Sequence, residues 1–130
     1  MSRGLRGGTL DAVPLSCLIV DDNASFLRTA GRVLERQGLT VAGIASNTAD
    51  ALRLADALRP DVVLVDIALG GESGFDLARR LAAGDADCPT VILVSTHAES
   101  DFVDLIEETP AAGFVPKSEL SADAVRRLVD

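Results

Sequence analysis

A handful of residues in this chain could do chemistry, and their positions say which kind. Asp21 and Asp22 stand side by side, Asp66 stands apart, and Ser95 and Thr96 offer adjacent hydroxyls. Lys117 is the single lysine among twelve cations, the rest being arginine. Three carboxylates brought together repel one another and raise one another's pKa unless a cation sits among them. Oxygen-only ligands, with no His or Cys in the set, suit a hard cation. Mg2+ is the usual choice where a phosphoryl group completes the shell, with Mn2+ as its substitute. A metal ion and an ammonium neutralise charge while short loops fix geometry, and in-line phosphoryl transfer needs little else.

Each of these residues also has a plainer reading. An Asp after a strand often caps a helix, Ser95 or Thr96 could cap the helix that follows, and most lysines are solvated surface charges. Asn23 and Ser25 could cap the first helix, however, which leaves the aspartate pair without a structural task. The plainer readings would also have to hold independently at every one of these positions.

The elements that position them are legible in the hydropathy pattern. Short runs rich in Val, Ile and Leu cover residues 15–20, 40–44, 62–65, 91–94 and 113–115, with the length and content of strands buried on both faces. Between them the period becomes helical. Phe26, Leu27, Ala30, Val33 and Leu34 form one stripe with Gly38 as its C-cap, and Ala51, Leu52, Ala55 and Leu58 form a second, stopped by Pro60. Leu77, Ala78 and Leu81 form a third with Gly84 after it, and Phe102, Leu105 and Ile106 a fourth before Pro110. Leu120, Ala124, Val125 and Leu128 form the fifth, with Ser118 or Ser121 as its N-cap. Strict strand–helix alternation predicts a doubly wound α/β domain: a five-stranded parallel sheet, right-handed crossovers and helices on both faces. Ligands of such sheets bind beyond the carboxyl ends of the strands, where the strand order reverses. Asp21, Asp22, Asp66, Ser95 and Lys117 all fall there, whereas the second run ends in the blander Ala45, Ser46 and Asn47.

Composition narrows the function classes. The 130 residues are 48% hydrophobic and 25% charged, as in an ordinary soluble globule of one domain. No apolar run approaches the ~20 residues that cross a bilayer as a helix. A formal charge of -8 argues against nonspecific nucleic-acid binding, and the absence of Trp and Tyr against a base-stacking platform. Cys17 and Cys88 show no metal-like spacing; they fit a reducing, cytoplasmic setting and are expected to fill core space. Residues 1–14 hold three Gly and one Pro without sustained periodicity and read as a flexible leader before a domain at 15–130. Arg3 and Arg6 are not followed by the apolar stretch of a signal peptide.

Four strings then carry a resemblance: LIVDDN at 18–23, VLVDIALGGESG at 63–74, VILVST at 91–96 and AAGFVPK at 111–117. In order and spacing they resemble the response-regulator receiver domain of two-component signalling, with its flavodoxin-like (βα)5 fold, over nearly the whole chain. The resemblance implies that Asp66 is the phosphoacceptor, Asp22 a direct Mg2+ ligand and Asp21 a ligand through water or an outer-shell acid. It implies that the backbone carbonyl of Ala68 is a further ligand, that Lys117 pairs with a phosphoryl oxygen, and that Ser95 binds another as the switch hydroxyl. Phe114 takes the place of the aromatic that follows the switch, and the readout face would be the fourth helix, fifth strand and fifth helix, roughly residues 99–130. Ala68 and His97 occupy the rim positions that tune phosphoryl lifetime. As a phosphotransfer group His97 is badly placed, since it follows a strand directly.

Departures from the family pattern also carry expectations. Pro116 precedes Lys117 and Ser118 follows it, so no cis peptide is expected after the lysine. Gly70 replaces the family's common Pro, and with Gly71 it is expected to loosen the loop after Asp66, while Gly74 matches the family. GFVPKSELS resembles receivers fused to helix-turn-helix transcription domains. The implied partner is a sensor histidine kinase, with an output domain fused or separate and no nucleic-acid or membrane contact by this domain. No output segment follows Asp130, which reads as a stand-alone receiver or the first domain of a longer regulator. Asp101, Asp104, Glu107 and Glu108 make the readout face acidic, predicting a monomer or weak homodimer. Separate substrate turnover is not expected. An Asp-nucleophile phosphohydrolase would want a second acid where Ala68 stands, and a flavin carrier would want aromatics and a phosphate loop. A degenerate receiver acting as a constitutive interaction module is the third alternative.

Overall fold

The computed structural model describes residues 15–83, 88–96 and 103–129. Five parallel strands, β1 (Ser16–Val20), β2 (Thr40–Ala45), β3 (Val62–Asp66), β4 (Thr90–Ser95) and β5 (Gly113–Pro116), lie in the order β2-β1-β3-β4-β5. The helices are α1 (Ala24–Arg36), α2 (Thr48–Leu58), α3 (Gly74–Ala82), α4 (Val103–Glu108) and α5 (Ala122–Val129). From β1 the chain steps outward to β2 and then returns to β3 on the other side of β1. The strand order therefore reverses between β1 and β3, and a crevice opens beyond their carboxyl ends. The doubly wound fold expected from the alternation is the one observed.

Side-chain alternation along the strands divides the core into two layers. Leu18, Val20, Val63, Val65, Val91 and Leu93 point to one face, where Ala51 of α2 and Leu77, Ala78 and Leu81 of α3 cover them. Cys17, Ile19, Val62, Leu64, Ile92, Val94 and Val115 point to the other, covered by Leu27, Ala30 and Leu34 of α1 and by Ala122 and Val125 of α5. Each large aliphatic side chain buried in this way contributes about 1.5–3 kcal/mol. Both faces of the middle strands are therefore apolar, which is why their sequences read as unbroken hydrophobic runs.

Helix ends follow local chemistry. The side chain of Asn23 accepts from the Phe26 N–H at 3.0 Å and caps α1, so the aspartate pair is indeed spared that task. Asn47 caps α2 through the Asp50 N–H, Ser73 caps α3 through Asp76, and Ser121 rather than Ser118 caps α5 through Ala124. The C-cap of α1 is Gln37, one residue before the Gly38 expected there. Pro60 does stop α2, whose C-cap is Arg59.

Three expectations change. Cys17 is buried, but Cys88 is exposed and fills no core space. Leu58 closes the apolar stripe of α2 yet is 41% exposed, because it lies over the outer edge strand β2 rather than over the sheet centre. The loop after Asp66 is not loose: Ala68–Leu69 pairs with Glu72–Ser73 as an antiparallel hairpin across Gly70 and Gly71. Gly70 supplies φ +62, which a side chain would resist, and Glu72 Oε1 accepts from the Thr48 N–H at 2.7 Å. The hairpin is thereby tied to the N-terminus of α2, whose dipole favours a carboxylate there. Gly84 and Phe102, expected near the ends of the third and fourth helices, lie outside the described residues, as does the leader at 1–14.

Candidate functional site

Strand register brings the chemistry together. Val20 of β1 pairs with Val65 of β3, so the next residues, Asp21 and Asp66, leave adjacent strands at the same level. On the alternation of each strand, Asp21 follows Cys17 and Ile19, Asp66 follows Val62 and Leu64, and Lys117 follows Val115. All three thus continue the face covered by α1 and α5. Asp21 is fully buried, Asp66 nearly so, and Asp22 is exposed at the rim. One oxygen from each of the three carboxylates lies within 4.8 Å of the others.

Lys117 closes the site from the end of β5. Its Nζ lies 2.5 Å from Asp21 Oδ2 and 3.3 Å from Asp66 Oδ2. It donates a hydrogen bond to Asp66, whereas its contact with Asp21 is an ion pair without hydrogen-bond geometry. The other oxygens are held by backbone: Asp21 Oδ1 accepts from the Asn23 N–H at 2.8 Å and Asp66 Oδ1 from the Ala68 N–H at 3.2 Å. Lys117 Nζ also stands over the Phe26 ring, 4.4 Å from its centroid.

The electrostatics follow from this crowding. Burial raises the Asp66 pKa above the ordinary value, and the Asp21 charge adds to it; the Ala68 N–H and the Lys117 ammonium pull the other way without cancelling the rise. Burial pulls the Lys117 pKa down, but its close contacts and charge interactions with Asp21 and Asp66 outweigh that and leave it raised. One ammonium faces three carboxylates.

That imbalance tests whether a hard cation fits. Among the described residues, Asp21 Oδ2 is the one buried side-chain polar atom that accepts no hydrogen bond. Its charge is met by the Lys117 ammonium alone, which it shares with Asp66. It belongs to a cluster of carboxylate oxygens, the donor set of Mg2+ or Mn2+, so the residues fit such an ion. The exposure of Asp22 leaves the solvent side open for waters or a phosphoryl oxygen.

Of the other residues singled out from sequence, Ser95 is buried at the end of β4 and Thr96 is exposed beside it. Phe114 is half-buried against the layer under α2 and α3, and pairs with Leu93. Ser95 shares that face by alternation, so hydroxyl and ring lie on the same side of the sheet. Ala68 is exposed at the rim. His97 lies outside the described residues, as does part of the expected readout face. No cis peptide occurs among the described residues.

Two features escaped the sequence reading. The Phe26 ring under Lys117 looked like one member of the first helical stripe; its place four residues after Asp22, one helical turn into the site, was the available signal. Glu72, which pins the hairpin, carried none, because its partner is a backbone N–H distant in sequence. Gly74 did carry a signal, and its reason is now visible. A Cβ there would overlap the Asp66 carbonyl, 2.8 Å from its carbon.

Known proteins resemble this chain in sequence and in fold. Residues 17–129 match the response regulator receiver domain family. Response regulator GacA of Pseudomonas aeruginosa is 32% identical over 118 residues, covering 88% of this chain and 55% of GacA, so the chain spans about half the length of such relatives. The signal receiver domain of NarL from Mycobacterium tuberculosis superposes with a TM-score of 0.79 at 29% identity, covering 89% of this chain and 96% of that one. A response regulator from Burkholderia pseudomallei, solved with a phosphorylated aspartic acid and a calcium ion, gives 0.73 at 27% identity, covering 89% of this chain and 66% of that one. With the sheet order, the carboxylate cluster and these likenesses in agreement, the chain belongs to the response regulator receiver domain family.

Proposed function

We propose that this domain is the phosphoacceptor switch of a two-component system, receiving a phosphoryl group on Asp66 from a sensor histidine kinase in the cytoplasm. The observation that carries the reading is the placement of Asp66: a buried carboxylate at the end of a central strand, between Lys117 and two further carboxylates. The phosphorylated aspartic acid of the Burkholderia relative supports it.

A Mg2+ or Mn2+ ion would be held by Asp22 and Asp66 directly, by Asp21 through water or as an outer-shell acid, and by the Ala68 carbonyl, and would neutralise charge on the phosphoryl oxygens. The remaining work belongs to the chain. An Asp66 oxygen attacks phosphorus as the bond to the donor's imidazole nitrogen, or to acetate, breaks; the product is a mixed anhydride. Lys117, already held between Asp21 and Asp66, pairs with a phosphoryl oxygen. The N–H of Ala68 keeps the attacking carboxylate aimed. Ser95 binds a second phosphoryl oxygen, and Phe114, on the same face of the sheet, follows it inward and alters the surface of α4, β5 and α5. The exposed methyl of Ala68 has no proton to give and stands where a hydrolase would place its acid, and the output is a conformation rather than a product. That output is read by a fused or separate domain.

Intact-mass analysis after incubation with acetyl phosphate tests this, with and without Mg2+ and beside Asp66→Ala. One Mg2+-dependent phosphoryl adduct, absent from the variant, is the expected result. An adduct that survives in the variant, or none in a folded parent that also fails with beryllofluoride, overturns it.

A further inference from the structure

We propose that Phe26 is a positioning residue for the phosphoryl-binding ammonium, its ring fixing Lys117 Nζ over the site by a cation–π contact. The inference rests on the reading of Lys117 given above.

Lys117 has an unusual positioning problem. It stands at the end of the edge strand β5, where a short 3-10 turn (Lys117–Glu119) begins, and its ammonium must reach back over the sheet to β1 and β3. A lysine stem is flexible and its charge is a point without directional preference. With only Asp21 and Asp66 to attract it, the ammonium would settle wherever the two carboxylates hold it most tightly. Those partners are needed elsewhere once a metal and a phosphoryl group arrive.

The ring supplies attraction of another kind. Phe26 lies in the first turn of α1, where the Asn23 side chain accepts from its own N–H at 3.0 Å and so anchors its backbone. Its ring carries Nζ at 4.4 Å from the centroid, within the range of a cation–π contact. The Lys117 side chain is 14% exposed, and desolvation strengthens such contacts. A π face carries no net charge, donates to no phosphoryl oxygen and takes no place in a metal shell. It holds the ammonium without competing for the ligands the ammonium is there to meet. An aliphatic residue at 26 would fill the same space beside the α1 layer and lack that attraction.

The test replaces Phe26 by 4-fluoro-, 3,5-difluoro- and 3,4,5-trifluorophenylalanine, near-isosteric rings of falling negative face charge. Two quantities are read on the full chain: the urea midpoint without metal, and the rate of Asp66 adduct formation from acetyl phosphate with Mg2+. Both should fall steadily with fluorination, the rate by about 3- to 30-fold across the series. The midpoint trend should vanish in a Lys117→Met background, where no cation faces the ring. A rate that stays within twofold across the series overturns the proposal and leaves the ring a space-filler, whatever Phe26→Leu does to folding. A sloping midpoint in a parent that forms no adduct shows the contact to be real, but overturns the phosphoacceptor reading and the positioning role with it.

Discussion

Gly74→Ala adds one methyl group at the point where β3 and the following helix come closest. The new Cβ would overlap the Asp66 carbonyl oxygen and lie 2.8 Å from the Asp66 carbonyl carbon and from Ile67 Cα. All three atoms are backbone, so no side chain can rotate to make room. Overpacking costs about 1–3 kcal/mol where side chains can adjust, and a clash against backbone belongs at or above the upper end. Relief requires α3 to move off β3, which stretches the 2.8 Å hydrogen bond from the Gly74 N–H to the Ile67 carbonyl and loses about 1 kcal/mol more. The gain in helix propensity, at most about 1 kcal/mol, offsets part of that. A net loss of about 3 kcal/mol is a large share of the about 5–15 kcal/mol that holds a domain together. It should lower the thermal midpoint by about 10 °C or more. Gly71→Ala is the control: it lies in the hairpin turn of the same loop, its φ is not positive, and nothing stands within 4 Å of its Cβ position. It should change stability by less than about 1 kcal/mol, in either direction. Urea unfolding at constant m-value measures both. A Gly74→Ala unfolding free energy within about 0.5 kcal/mol of the parent, or a Gly71→Ala loss of about 3 kcal/mol, would refute the close approach.

Mg2+ should raise the unfolding free energy by about 2.7 kcal/mol at one hundred times its Kd, and Asp22→Ala should remove most of that gain; an undiminished gain in the variant would place the ion elsewhere. At pH 8 the folded chain should react with Ellman's reagent at the exposed Cys88 alone, because burial and the Glu35 charge push the Cys17 thiol up to about 11. Denaturant should release the second thiol, and two fast thiols in the folded chain would contradict the packing. The Thr48 N–H and hydroxyl hold the Glu72 carboxyl below its ordinary value. A carboxylate whose folded pKa is depressed stabilises above its unfolded pKa and loses that contribution as pH falls through the folded value. Glu72→Gln should therefore be less stable than the parent at pH 7, with the difference closing as the solution is acidified below about 4.5. A gap that persists unchanged in acid would show that the charge is not what pins the hairpin.

Whatever depends on local periodicity was legible in the residues alone. Val62 to Val65 are apolar on both faces and can only be an interior strand, and the stripe of Leu27, Ala30 and Leu34 can only be a one-sided helix. Once alternation implies a parallel sheet, the residues after each strand share an edge, which is why Asp21, Asp66, Ser95 and Lys117 could be assigned together before any distance was known. Tertiary structure decided what depends on register and on contacts between distant segments. The level at which Asp21 and Asp66 leave adjacent strands follows from pairing of Val20 with Val65, and the contact of Lys117 with the Phe26 ring follows from α1 packing over β1, toward whose end the lysine reaches back. The hairpin is the clearest case. Two adjacent glycines suggest freedom, since chain entropy is all that a local reading can weigh. The carboxylate that removes the freedom finds its partner twenty-four residues away, in a helix that local sequence has no means to place.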